Sequence, residues 1–281
     1  PRLSASYHLS DQLSLKFSAS RTHQFLNRFS NDFITNGSKF VWLIPNKHME
    51  PMSSIQKNFG IEYDSPEIFF GFDLYNKNVK NISDFSQFVF PIDVYSELSN
   101  YLTFQGEGQS NGYELFFHKK KGKLKGWASY NYGTIECTFP DLNGGKVFLA
   151  DHDRTHELKS ALISSIGKWT ITITGLISSG RVFTPNNNLM IRENENANYT
   201  LQAEPGKRNS KRLPIVQRFD LSLNRSTYFM EKNLNIGISI FNVFNRRNVS
   251  HRSYNLFVDP FISTDVIMLG FTPTISMQLG L

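Results

Sequence analysis

The chain has 281 residues, with 30 Lys and Arg against 24 Asp and Glu, a formal charge of +6 and 14% aromatic residues. Charged residues make up 19%, below the roughly 25% of ordinary soluble domains, and Gly and Pro are too few for a low-complexity chain. The one cysteine, Cys137, excludes an internal disulfide and a cysteine-cluster zinc site, and no apolar run reaches the ~18 residues of a membrane helix. A low mean hydropathy does not exclude a membrane β-barrel, because barrel strands alternate apolar and polar residues.

In chain order, Pro1 to Tyr7 carries no signal-peptide pattern and reads as a strand, so the chain is expected to begin inside a longer structure. Leu13, Leu15, Phe17 and Ala19 then alternate with Ser14, Lys16, Ser18 and Ser20. Ile68, Phe70, Phe72 and Leu74 share a face. Trp169, Ile171, Ile173 and Gly175 alternate with Thr170, Thr172 and Thr174, and Phe219, Leu221 and Leu223 face away from Arg218, Asp220, Ser222 and Asn224. Leu234, Ile236, Ile238 and Ile240 form another such set, as do Ile267 to Leu281 on odd positions. This period of two defines strands with unlike faces, and nothing comparable recurs at helical spacing.

The connections alternate as well. Short turns fall at Ser10-Asp11, Asp64 to Pro66, Lys120 to Gly122, Ile166 to Lys168 and Met230 to Lys232. Long polar or aromatic connections fall near 25–52, 81–105, 138–153, 182–212 and 253–263. Tight turns at one end and long loops at the other are the asymmetry of an outer-membrane barrel, with turns in the periplasm and loops outside the cell. The fold class predicted is therefore all-β, an antiparallel transmembrane β-barrel. About eleven strands can be counted, an odd number that leaves unpaired edges, so the chain is expected to be the C-terminal part of a barrel of about 22 strands with its plug elsewhere.

Several segments resemble TonB-dependent outer-membrane receptors, in particular the Bacteroidetes type, SusC-like or siderophore-receptor-like. They are Arg212-Leu213-Pro214 with Arg218 to Ser222, Ile238 to Asn245 ending in Asn242-Val243-Phe244-Asn245, and the tail Leu269 to Ser276. Asp153 to His156, Gly167-Lys168-Trp169, Ser179-Gly180-Arg181 with Thr184-Pro185, and Pro1 to Ser4 add weaker matches. The chain ends on Leu281, where the family usually ends on an aromatic residue. The resemblance implies a receptor in the outer membrane of a Gram-negative bacterium that binds a nutrient (siderophore, glycan, peptide or vitamin) and imports it. The partners it implies are the N-terminal barrel half and plug of the same receptor, the TonB–ExbB–ExbD system acting through that plug, and a surface lipoprotein. A passive porin-like channel or a surface adhesin is the alternative use of the same wall.

Trp42, His48, Phe88 and Tyr95 are the substrate-contact candidates, drawn from two aromatic-rich connections. Their rings could stack on sugars or flat chelates; the alternative is an interfacial girdle or packing within the loops. Lys16, Arg218, Asp220, Asn224 and Gln278, with Arg225, lie on polar faces and are lumen-lining candidates. Asp151, His152, Asp153, Arg154 and His156 form the densest ionisable cluster. It offers either a metal site or hydrolytic pair or ordinary rim residues, and its spacing matches no zinc or calcium motif. No catalysis, cofactor or metal is expected. Lys119 to Lys125 form a basic turn, and Lys207, Arg208, Lys211 and Arg212 offer contact with anionic lipopolysaccharide. With no recognition helix, nucleic acid is not an expected partner.

Overall fold

The computed structural model describes residues 1–30, 40–45, 49–85, 102–193, 199–255 and 262–280. Eleven antiparallel strands form one wall: β1 (Arg2–His8), β2 (Leu13–Gln24), β3 (Met52–Asp64), β4 (Ile68–Phe85), β5 (Leu102–Lys119), β6 (Leu124–Thr138), β7 (His156–Ile166), β8 (Trp169–Ser178), β9 (Val216–Phe229), β10 (Lys232–Phe241) and β11 (Thr272–Leu279). Each pairs with its neighbours in sequence, so the sheet is a meander from β1 to β11, and Phe148–Leu149 adds a short strand to the end of β6. Among the described residues β1 pairs only with β2 and β11 only with β10.

The registers carry the two faces across the whole wall. Leu15, Ile61, Phe72, Leu115, Tyr130, Leu158 and Ile177 follow one another from β2 to β8 on one face. Towards the short turns the same face continues as Leu162, Ile173, Leu221 and Ile240. On the opposite face Ser6, Lys16, Gly60, Asp73, Glu114, Asn131 and Glu157 run in register from β1 to β7. A soluble antiparallel sheet buries its apolar face against a second layer. Here Leu3 is 64% exposed, Ile238 49% and Ile275 78%. An apolar surface spanning eleven strands far exceeds the few hundred Å² a soluble monomer leaves bare, and it suits hydrocarbon.

The apolar band has a visible upper edge. Along β4 its face reads Ile68, Phe70, Phe72, Leu74 and then Asn76, Asn78, Lys80. A membrane strand needs about 9–11 residues, and β4 and β5 each have 18, so both project past the band. Tyr113, Tyr130, Tyr132 and His156 mark the boundary as a ring cluster, with centroids of 5.3 Å for Tyr113–Tyr132 and 5.1 Å for Tyr132–His156. Amphipathic rings at such a boundary form a girdle.

The long connections contain paired hairpins: Asn27–Ser30 with Phe40–Leu43, Asn186–Glu193 with Tyr199–Pro205, and Val249–Asn255 with Ile262–Ile267. Backbone groups in such projections find partners in one another. At the other end, Met230 and Glu231 close the β9–β10 turn with φ of 50° and 63°, the conformation of a two-residue hairpin turn whose twist matches its strands.

On the polar face Tyr75 lies across two glycines in register with it, Gly112 on β5 and Gly133 on β6. A Cβ at Gly133 would stand 2.1 Å from the Tyr75 hydroxyl, and one at Gly112 would stand 2.5 Å from it. Glycine is required because the phenol occupies that space. Gly133→Val is expected to displace Tyr75 and cost about 1–3 kcal/mol, read as a lower midpoint in the heat-induced loss of the folded, fast-migrating barrel on electrophoresis; Tyr75→Ala in the same background should recover part of the loss.

Candidate functional site: the polar face and its rim

The polar face is a network of charges and amides. The Lys16 ammonium meets Glu62 at 2.5 Å, and the Asn58 amide donates to the Ser18 hydroxyl at 2.9 Å. Lys16, Ser18 and Asn58, with Ser6, Gly60 and Asp73, surround a concavity of about 380 Å³. Further along, the Arg218 guanidinium stands 3.1 Å from Asp220 and 4.6 Å from the centre of the Phe241 ring. Asp220 accepts from the Thr174 hydroxyl at 3.2 Å and from the Asn242 backbone N–H at 2.8 Å. The Asn224 amide donates to Ser222 at 2.9 Å, and Gln278 continues the same face beside Asn235. Arg225 is corrected by the register: it follows Asn224, so it stands on the apolar face with its guanidinium 5.2 Å from the Trp169 ring.

Of the substrate-contact candidates, Trp42 sits in the Phe40–Leu43 hairpin and is 52% exposed. His48, Phe88 and Tyr95 lie outside the described residues.

The acidic cluster at Asp151 to His156 is divided among separate partners. Asp153 is fully buried. One oxygen receives the Arg212 guanidinium at 2.7 Å and the Thr155 hydroxyl at 3.0 Å; the other accepts the Ile135 N–H at 3.0 Å. Arg212 also donates to the Gly180 carbonyl at 2.9 Å. Asp151 takes the Asn209 amide at 2.6 Å, and His156 turns to the outer face, where Nδ1 meets the Tyr130 hydroxyl at 2.9 Å. Asp153 is thus buried and engaged at both oxygens by three donors, and among the described residues no group of His, Cys, Asp and Glu is placed to hold a metal. Asn209, which binds Asp151, and Asp84, which binds Arg208, belong to no motif or spacing that marks them in the sequence.

Arg208 completes the rim. Its guanidinium donates to Asp84 at 2.7 Å and lies 5.5 Å from the Phe148 ring. Phe148 packs with Phe139 and Leu142 in a small buried cluster against Ile82 and Cys137. The connections after β6 and β8 are thereby fastened to the projecting ends of β4 to β6. Arg208 and Arg212, read from sequence as contacts for lipopolysaccharide, are instead spent on these internal carboxylates. Cys137 stands above the apolar band, and burial, then the charges of Asp84 and Asp151, push its thiol up to about 11 against a pull downward from Arg208.

The Asn242-Val243-Phe244-Asn245 segment is a turn built by its own amides. Asn242 and Asn245 have φ of 53° and 48°, a left-handed conformation asparagine tolerates. Asn242 is buried and bonds Arg246 at both its amide oxygen and nitrogen, at 3.0 and 2.9 Å. Asn245 accepts the Phe271 N–H at 3.0 Å. The segment orients the strand end from which Phe244 meets Phe219 edge-on at 5.6 Å.

A meander with one hydrocarbon-compatible face, one polar face and a fastened rim defines a segment of an outer-membrane barrel wall. Residues 1–245 match the family model described as TonB dependent receptor-like, beta-barrel, and the chain belongs to that family. Similar solved structures include the ferric yersiniabactin uptake receptor FyuA from Yersinia pestis, with TM-score 0.61 and 14% identity over 98% of this chain and 36% of that one. The ferripyoverdine receptor of Pseudomonas aeruginosa gives 0.59 and 13% over 99% and 32%. The FrpB iron transporter from Neisseria meningitidis gives 0.61 and 11% over 99% and 38%. The chain thus spans about a third of the length of these receptors. Among curated proteins, none matches it.

Two outcomes follow from the rim. Arg212→Ala leaves the Asp153 carboxylate buried and unpaired, a change that costs about 3–5 kcal/mol; limited proteolysis should cut within 139–155 faster, and adding Asp153→Asn should restore part of the resistance. Cys137 should resist alkylation. At pH 8 a thiol with its pKa raised from 9.0 to about 11 holds roughly 100-fold less thiolate than an unshifted one. Iodoacetamide labelling of the Cys137 peptide in the folded receptor should be correspondingly slow and should climb as pH passes 10; rapid labelling at pH 8 contradicts the burial.

Proposed function

We propose that this chain is the C-terminal part of the barrel of a TonB-dependent nutrient receptor in the outer membrane of a Gram-negative bacterium, working as a transporter and not as an enzyme. The observation that carries this reading is the pair of unbroken faces, Leu15 to Ile177 on one side and Ser6 to Glu157 on the other. In this reading the short turns lie in the periplasm and the long connections face the cell exterior. Lys16, Arg218, Asp220, Asn224 and Gln278 line the lumen, where the plug and the remaining strands of the receptor complete the enclosure. TonB with ExbB and ExbD acts on that plug.

Substrate enters at the long-connection end, where Trp42, His48, Phe88 and Tyr95 supply aromatic and imidazole contacts. The rim built by Arg208, Arg212 and Asp153 fastens the neighbouring connections after β6 and β8 to the strand ends, so these residues shape the same mouth without touching what it binds. The relatives named above handle iron or iron chelates, which makes a ferric chelate the first substrate to test against glycan, peptide and vitamin.

The test is uptake by cells carrying or lacking the complete receptor. Accumulation of the labelled substrate should need the receptor, should stop when a protonophore collapses the inner-membrane gradient, and should stop without TonB. Uptake that persists with the gradient collapsed would indicate a passive channel. Replacing Trp42, His48, Phe88 and Tyr95 together by Ala should raise the substrate concentration for half-maximal uptake by at least about tenfold, the scale of 1.4 kcal/mol.

A further inference from the structure

Three asparagines in the chain precede a glycine: Asn36, Asn111 and Asn143. In such a pair the glycine nitrogen can approach the asparagine amide carbon, because the following residue has no side chain to block it. Closing a small ring within one chain is also favoured over a reaction between two molecules. The fold then decides which pair reacts. Asn36 lies outside the described residues, and the other two are held in opposite ways.

Asn111 and Gly112 stand within β5, paired with Asn76 and Tyr75 on one side and with Thr134 and Gly133 on the other. The Asn111 carboxamide accepts from Asn76, and the Tyr75 hydroxyl fills the space over Gly112. Extended backbone bonded on both sides cannot bring the glycine nitrogen under the amide carbon without opening the sheet.

Asn143, Gly144 and Gly145 instead form one tight turn in the connection after β6, with φ of 52°, 64° and 70°. Gly144 is exposed, and a Cβ on it would meet nothing within 4 Å. Its N–H donates to no protein atom among the described residues. The bond from the Lys146 N–H to the Asn143 carbonyl is long, at 3.4 Å, so little opposes rotation of the Asn143–Gly144 peptide. The side chain is held at both ends: Oδ1 accepts the Arg208 backbone N–H at 3.4 Å, and Nδ2 donates to the Lys146 carbonyl at 3.3 Å. The Arg208 N–H stands where negative charge gathers on Oδ1 during attack, and such a bond tightens as that charge develops.

We propose that Asn143–Gly144 is a site of spontaneous deamidation on the rim. The Gly144 nitrogen gives its proton to hydroxide and bonds to Cγ of Asn143; the Cγ–Nδ2 bond breaks, and that nitrogen leaves as ammonia with a proton from water. Water then opens the cyclic imide. Attack at Cγ leaves aspartate, and attack at the backbone carbonyl leaves isoaspartate, whose main chain runs through the side-chain carbons. Water is consumed and ammonia released, with no oxidation. Either product carries a carboxylate that cannot donate to the Lys146 carbonyl, and isoaspartate lengthens the backbone one residue beyond the buried Leu142. Leu142 packs with Phe139 and Phe148, so the change loosens the rim above them. The site does not rest on the transport reading.

The experiment stores the intact receptor in detergent, in mildly alkaline buffer made with water enriched in heavy oxygen, and maps its peptides by mass spectrometry. Heavy oxygen marks only product formed during storage. Asn143 should convert at least about tenfold faster than Asn111, a barrier difference of ~1.4 kcal/mol, and enzymatic methylation should reveal isoaspartate in the Asn143 peptide. In guanidinium-denatured receptor the two should convert at similar rates. Equal rates in the folded receptor overturn the site, and an unchanged ratio after denaturation overturns the part assigned to the fold. Asn143→Gln and Gly144→Ala should both suppress conversion at position 143, and a heat-dependent electrophoretic shift confirms that each variant is folded. Limited proteolysis within 139–155 should quicken on storage in wild type and not in Asn143→Gln; equal quickening in both overturns the effect on the rim.

Discussion

Every amide in this wall must find its hydrogen-bond partner on a neighbouring strand, because hydrocarbon offers none. That constraint selects a continuous antiparallel ladder, and the pleat then sorts side chains onto two faces without any further instruction. The consequence is a sheet held by its backbone ladder and by the two media its faces meet more than by a core. Its buried hydrophobic cluster, Phe139, Leu142 and Phe148, lies at the rim and not within the wall. The same constraint explains the hairpins in the long connections, where strands that have left the band continue to pair.

The rim shows a different physics. Once above the apolar band, the chain behaves like a small globular protein, with a buried carboxylate, guanidiniums placed by fixed acceptors and a packed aromatic pair. Buried ion pairs of this kind rarely add much net stability, but they are costly to break. Asp153 holds one partner from each of three segments: Ile135 from β6, Thr155 from its own connection and Arg212 from the connection before β9. A single carboxylate thus sets the relative height of connections that are far apart in sequence.

The wall was legible from alternation where one face is consistently polar, as in β2, β8 and β9. It was less legible in β5, where Leu115, Phe116 and Phe117 succeed one another. The structure places Phe116 on the polar face, 5.9 Å from Phe69 and 6.2 Å from Trp127, so aromatic residues occupy both faces near the short turns and blur the period. Residue type pointed to Asp153 and Arg212 as notable but not to each other, since nothing local encodes a contact across 59 positions. Arg225 departs from its expected face for a simpler reason: a charged residue need not follow the polar face, and stacking on Trp169 gives it a place at the margin of the apolar one.

The bond from Arg208 to Asp84 spans 124 positions, while wall contacts join strands that follow one another. The chain closed by that bond is several times longer than any connection between neighbouring strands, and loop-closure entropy grows with the length closed. Among the described residues, the collar is therefore the one part of the wall whose closure ties together stretches of polypeptide that the meander itself keeps apart.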